Sequence, residues 1–360
     1  MTKRVLKNVI VDEKLTDIVI ENGKISFIGK TDLPGEDKKG KKAYPGLIDI
    51  HTHGALGESV SNGGHLLELS KYQSSHGVTS WFPTTTTIST EDIIKITHEK
   101  TDFNEGARIL GFHLEGPYVN MKYKGAQNGD FIKNPSLEEF RKFKNVKMIT
   151  IAPELPGSEE FIEKCGCQVI IGHTDADYET ALAAIKKGAN CLTHTFNAMP
   201  PLHHRNPGVV GAAIEADAYV QVICDGLHVH KSVVKMLYKT FREKMIVISD
   251  SVNPAYLPDG EYDYDGHAVI MKDGECRLTD GTIAGSSHSA LYGVQRLVSW
   301  GIPEKDAFYA ATKAPATYAG LTTKGELKEG FDADIILLDN DLNLKETIIE
   351  GVTDYVVCGD

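Results

Sequence analysis

From Tyr44 to Ser251 the chain repeats one pattern: a short apolar run rich in Val, Ile and Leu, a polar or glycine-bearing tip, then a helix-like stretch. Eight runs fit it: GLIDIHTHG, VTSWFPTTT, ARILGFHLEGP, VKMITIAPE, QVIIGHTDAD, NCLTHTFNAMP, YVQVICDGLHVH and MIVISDS. Consecutive apolar residues mark strands buried on both faces, and alternation with helices such as DYETALAAIKKGA requires parallel strands joined by crossovers. Eight such units predict an α/β fold, a (β/α)8 TIM-type barrel. Helices for the last crossover are expected at Ala290 to Ser299 and Glu304 to Thr312.

The flanks follow a different rhythm. Val5 to Gly29 alternates polar and apolar residues around Asn22-Gly23, a strong hairpin signal, and GELKEGFDADIILLDNDLNLKETIIEGV supplies further short strands. Residues 1–43 and 324–360 are therefore predicted to fold together as a small β-sandwich built from both termini, with 44–323 as the barrel.

Composition narrows the partners. With 41% hydrophobic and 24% charged residues the chain is ordinary for a globular protein. Against 50 acidic residues stand 38 basic ones, a net charge of -12, and no Lys/Arg cluster is interleaved with aromatics, so nucleic acid is not an expected partner. No run approaches the roughly 20 apolar residues of a membrane span, and the first residues do not read as a secretion signal. Cys165, Cys167, Cys191, Cys224, Cys276 and Cys358 show no C-x-x-C pair, which predicts free thiols in a reducing cytoplasm.

The candidate chemistry lies at the tips of the runs. Barrel enzymes work at the C-terminal ends of their strands, and His51, His53, Glu115, His173, His194, His228 and Asp250 all fall at or just after an apolar run. Residues i and i+2 of a strand share a face, so His51 and His53 can both reach the barrel mouth. A lone histidine there is usually a hydrogen-bonded rim residue; the shared placement of the whole set argues for a cation. Imidazole and carboxylate together suit zinc or iron rather than calcium. Trp81 reads as barrel packing, Asp175 and Asp177 as caps of a helix starting near Tyr178, and Cys224 as a buried thiol. His203 and His204 receive no assignment.

The motifs H-x-H, HLEGPYVN, G-H-T, THTFNAMPPLHHRNPG, CDGLHVH and the final S-D together resemble the amidohydrolase superfamily, and within it the amino-sugar 6-phosphate deacetylases. The resemblance spans nearly the whole chain. It implies Glu115, His173 and His194 as ligands of a principal divalent metal, with His51 and His53 available for a second ion and Glu115 as the bridge. Zinc is the expected metal, with iron, cobalt, manganese or nickel as alternatives. It further implies Asp250 as the catalytic general base and acid, Asn197, Ala198, Arg205 and His228 as contacts to the sugar phosphate, and Ala284 and Gly285 as substrate wall. A homodimer is implied, with Arg205 reaching the neighbouring site. Ala126 and Gln127 stand where a Thr-His pair touches the substrate in other members; Gln127 can donate a hydrogen bond there but cannot carry a proton.

The expected reaction is hydrolysis of the acetamide of N-acetylglucosamine 6-phosphate to glucosamine 6-phosphate and acetate. A bound zinc lowers the pKa of water to about 7, and Asp250 can move the proton from that water to the departing amine. Other amidohydrolase reactions, on the galactosamine epimer, an N-acyl amino acid or a cyclic amide, stay open, as does a catalytically inactive binding protein. The intact ligand set speaks against the last.

Overall fold

In a computed structural model, which describes residues 3–357, the eight apolar runs are the strands of a barrel. They are β1 (Leu47–Thr52), β2 (Val78–Thr85), β3 (Phe112–Glu115), β4 (Val146–Ile151), β5 (Gln168–Ile171), β6 (Cys191–Leu192), β7 (Tyr219–Ile223) and β8 (Met245–Ile248). Each pairs in parallel with the next, from β1 through β8. The seam between β8 and β1 is closed by Asp250 N–H donating to His51 O at 2.9 Å and by the Ser249 hydroxyl donating to Asp49 Oδ2 at 2.5 Å. This is the expected (β/α)8 barrel.

Alternation along the strands divides the core in two. Val220 and Val222 of β7 pack outward with Val234 and Leu237 of helix Lys231–Phe241, whereas Ile223 joins Ile48, Ile50, Phe82, Met148 and Ile170 in a second cluster. Successive side chains of a strand face opposite sides, so this second cluster fills the barrel below its mouth. Each fully buried side chain of this size contributes about 1.5–3 kcal/mol of transfer free energy. The β1–β2 register slips between Asp49 and Thr52. Slips of this kind bend a strand and re-aim its side chains, and this one falls at His51. The last crossover helices are Ala290–Ser299 and Glu304–Ala311, where the periodicity placed them.

The terminal strands form one sheet. Lys3–Val11, Lys14–Glu21, Lys24–Ile28 and Lys42–Pro45 combine with Ile335–Leu338, Leu344–Ile349 and Val352–Val356, and the short Glu36–Asp37 pairs with the first. The sheet folds back on itself: Ile25 N–H donates to Phe331 O at 2.9 Å and Ala333 N–H to Gly23 O at 2.8 Å. Its two halves enclose Leu6, Val9, Ile18, Ile335, Leu337 and Ile348, the two-layered arrangement expected of the termini. Asn22 and Gly23 turn the hairpin with φ of 52° and 76°, the geometry of a type I′ turn.

One element was not anticipated. Between β8 and helix Ala290–Ser299, strands Gly260–Tyr264, His267–Lys272, Glu275–Leu278 and Ile283–Ser286 make a separate antiparallel sheet. Two of its three turns are Asp265-Gly266 and Asp273-Gly274, all four residues at positive φ. The signal was present, since Asp-Gly between alternating residues marks a hairpin. Asp177 caps helix Tyr178–Lys186 through Thr180 N–H as expected, but Asp175 instead pairs with Lys122 at 2.8 Å. Trp81 and Cys224 are buried in the core. Cys165, Cys167, Cys191, Cys224 and Cys276 are free thiols, while the thiol expected at Cys358 lies outside the described residues. Among the described residues no helix is long and apolar enough to cross a membrane.

Candidate active site

Four histidines and two carboxylates converge at the C-terminal end of the barrel. Glu115 ends β3, and its Oε1 lies 2.9 Å from His194 Nε2, 3.1 Å from His173 Nε2 and 3.4 Å from His51 Nε2. Its Oε2 lies 3.2 Å from His53 Nε2. Asp250 Oδ1 sits 3.3 Å from His53 Nε2 and 3.5 Å from His51 Nε2. Two ligand-like groups result, His51, His53 and Glu115, and Glu115, His173 and His194, sharing the one glutamate. Every member is buried. His173, His194 and Asp250 have φ of 46°, 20° and 47°, so the chain turns sharply on leaving β5, β6 and β8. Such left-handed residues cost about 1–3 kcal/mol each and persist where the surroundings over-determine them.

The outer ring nitrogens settle which atoms face inward. His53 Nδ1 lies 3.1 Å from Thr84 O and His173 Nδ1 2.9 Å from Tyr123 O; a carbonyl can only accept, so each Nδ1 carries the proton. His51 Nδ1 lies 3.0 Å from Gln221 Oε1. The Nε2 atoms of these three rings therefore face the centre, and His194 turns its Nε2 to Glu115 although its own Nδ1 has no partner. Imidazole nitrogens and carboxylate oxygens gathered this closely form a donor set that a divalent cation would satisfy in place of the ring protons, and outer hydrogen bonds of this kind orient metal-binding imidazoles. Burial alone would raise the Glu115 carboxyl, but His51 and His173 hold it well below the usual carboxylate range. Burial likewise opposes ionisation of Asp250, yet His51 and His53 bring it down to about 2, so it stands as an anion ready to accept a proton.

A cavity of about 350 Å³ opens over this cluster. His53, Glu115, His173, His194 and Asp250 form its floor, and Ala126, Gln127, Asn197, Ala198, His228 and Gly285 line it. His51 lies beneath, fully buried. His228 Nδ1 is tied to Asp225 Oδ2 at 2.6 Å, and Asn197 Nδ2 donates to His194 O at 3.0 Å. Gly285 is required by space: a Cβ there would meet Val252 Cγ1 at 2.4 Å, and its φ is 70°.

Three placements differ from expectation. Ala284 does not line the cavity, because alternate residues of strand Ile283–Ser286 face opposite sides; Ile283 and Gly285 face the cavity while the Ala284 methyl is buried with Val252, Tyr264 and Met271. Gln127 does not offer its amide N–H freely to a substrate: Nε2 donates to Glu115 Oε2 at 2.7 Å, and its Oε1 accepts from Thr87 N–H at 2.6 Å. Arg205 is exposed and lies beside Asp175, Asp177 and Pro200, outside the cavity of its own chain.

The structure also adds residues that the sequence pattern missed. Lys122, Tyr123, Tyr264 and Thr282 line the cavity. Tyr264 comes from the inserted sheet, and its ring lies edge-on to His53 with centroids 6.4 Å apart. His113, two residues before Glu115, points inward below His51 and bonds Thr150 Oγ1 at 2.8 Å; the alternation of HLE carried that signal.

A parallel eight-stranded barrel with two histidine–carboxylate groups at its mouth is the framework of a hydrolase class, and the chain belongs to the amidohydrolase family, whose model it matches over residues 43–356. Within that family it is 33% identical to the N-acetylglucosamine-6-phosphate deacetylase of Vibrio furnissii, over 85% of this chain and 81% of the relative. It is 30% identical to the N-acetylgalactosamine-6-phosphate deacetylase of Escherichia coli O157:H7, over 92% and 93% respectively. The crystal structure of N-acetylglucosamine-6-phosphate deacetylase from Thermotoga maritima superposes with a TM-score of 0.91 at 31% identity, covering 98% of this chain and 100% of that one.

Proposed function

We propose that this chain hydrolyses the acetamide of N-acetylglucosamine 6-phosphate, giving glucosamine 6-phosphate and acetate. The observation that carries the reading is the convergence of four imidazole Nε2 atoms on Glu115 with Asp250 beside them, in a chain whose relatives act on this class of compound. Glu115, His173 and His194 would hold a principal divalent ion, and His51 and His53 with Glu115 a second. Zinc is the first choice for this nitrogen and oxygen set, ahead of iron, cobalt, manganese or nickel. When bound, such an ion supplies Lewis acidity, polarising a carbonyl and lowering the pKa of water to about 7.

The residues of the chain supply the rest. Asp250 accepts the proton of the water whose oxygen attacks the acetyl carbon. It then delivers that proton to the amide nitrogen, without which the amine is a poor leaving group as the C–N bond breaks. Asn197, Ala198 and His228 bind the sugar side of the cavity. Arg205 of a neighbouring copy grips the phosphate, for which a planar guanidinium is well shaped; its exposure outside its own cavity supports a homodimer. Free thiols and a phosphorylated substrate support a cytoplasmic location.

The test is metal analysis of purified protein beside acetate release from N-acetylglucosamine, its 6-phosphate and N-acetylgalactosamine 6-phosphate. The 6-phosphate of the gluco sugar should be the best substrate. Equal rates with and without the phosphate would remove the phosphate assignment, and a faster galacto substrate would move the reading to the epimer that the Escherichia coli relative is named for.

A further inference from the structure

Away from the barrel mouth, the turn between helix Ser158–Lys164 and β5 carries two thiols separated by one glycine, Cys165-Gly166-Cys167. The deacetylase reading makes no use of them. Cys165 closes the helix with φ -67° and ψ -28°, and Gly166 follows at φ 77°, so the chain doubles back over two residues. As a result Cys167 S–H points at Cys165 Sγ, 3.8 Å away. Both residues are only part-buried, unlike Cys191, Cys224 and Cys276, which lie in the core. Nothing lies within 4 Å of the position a Gly166 Cβ would take, so the outer side of the turn is open to a small reagent.

We propose that Cys165 and Cys167 form a reversible dithiol–disulfide pair that exchanges with low-molecular-weight disulfides such as oxidised glutathione. The Cys165 thiolate attacks one sulfur of the glutathione disulfide. That S–S bond breaks, a mixed disulfide forms on Cys165, and one glutathione leaves as a thiol after taking up a proton. Cys167 then loses its proton and attacks the Cys165 sulfur, forming the Cys165–Cys167 bond and releasing the second glutathione. Two protein thiols are oxidised and one glutathione disulfide is reduced to two thiols. The roles follow from the contact: Cys167 donates its S–H to Cys165, which brings the Cys165 thiol down to about 7, while the same contact and burial push Cys167 up. The sulfurs must close from 3.8 Å to the bonded distance of about 2.05 Å, which rotation about χ1 on either side of a glycine can accomplish. The thiolate is the attacking species, so Cys165 is the entry point.

The experiment equilibrates the folded full chain in buffers of graded reduced-to-oxidised glutathione ratio, blocks free thiols with an alkylating agent and maps the peptides by mass spectrometry. The expected result is a peptide containing both cysteines that becomes unalkylated and two hydrogens lighter as the buffer becomes oxidising, and doubly alkylated again on return to reducing buffer. Cys167→Ser should instead trap glutathione on Cys165, because no second thiol remains to release it. The proposal is overturned if both thiols stay alkylatable across the series, or if the unmodified chain accumulates the glutathione adduct as Cys167→Ser does. The measurement is made on peptides and does not depend on deacetylase activity, so its failure and the failure of the functional reading are separate events.

Discussion

Gln127 donates its side-chain N–H to Glu115 Oε2 at 2.7 Å while its carbonyl accepts from Thr87 N–H at 2.6 Å. With both ends of the amide engaged, Gln127 can present only a donor to the glutamate. It thereby sets the carboxylate plane, with Oε2 toward His53 and Oε1 toward His173 and His194. Replacing Gln127 with Leu keeps the bulk and removes the donor. We expect metal affinity to fall about 10–100-fold, the usual effect of losing a group that orients a ligand, and the melting temperature to drop as well, because the buried Thr87 N–H loses its acceptor. Metal titration followed by elemental analysis checks this, and unchanged affinity would show that the carboxylate orients itself.

Asp250→Asn retains shape and an acceptor but cannot take a proton. The turnover number should drop about 10²–10⁴-fold while metal content stays at the unmodified level. Loss of the metal together with activity would make Asp250 a ligand rather than the proton carrier.

Stripping the protein with a chelator should abolish acetate release and lower the melting temperature, since a ligand that binds only the folded state stabilises it by RT ln(1 + [L]/Kd). Adding back zinc should restore both. A stripped preparation that cleaves at the original rate would end the metal-dependent reading.

Arg205→Ala should weaken binding of the phosphorylated substrate about 10–100-fold, the 1.5–3 kcal/mol of a charged hydrogen bond, with little change in turnover at saturation. If the arginine serves the neighbouring site, refolding Arg205→Ala together with Asp250→Asn should recover activity at low substrate. One site of each mixed dimer is then complete, about a quarter of all sites for random pairing. No recovery above either variant alone would place Arg205 at its own site or outside the reaction.

Acid stability should depend on Asp17. This buried carboxylate accepts from Lys7 Nζ at 2.8 Å, Asn8 N–H at 2.9 Å and Thr31 N–H at 3.0 Å. Burial opposes its charge, but these donors hold its pKa below the ordinary value. A depressed carboxylate stabilises the fold above its unfolded pKa of about 3.9 and loses that contribution as pH falls through the folded value. Thermal unfolding should therefore show Asp17→Asn less stable than the unmodified chain at neutral pH, with the gap narrowing below pH about 4. A gap constant with pH would assign the loss to packing.

The sequence by itself pointed to the barrel, because strand and helix periods are local properties of the backbone and eight parallel βα units are the number that closes on itself. It determined the candidate ligands for the same reason: His51, His53, Glu115, His173, His194 and Asp250 lie at strand tips, and tips of parallel strands meet at one end. Tertiary structure decided what has no period. Gln127 reaches Glu115 across a loop, Ala284 turns its methyl away from the cavity while Gly285 approaches Asp250, and Tyr264 enters from an inserted sheet. Those contacts depend on where loops travel after leaving the barrel, and that path is set by packing between residues far apart in the chain.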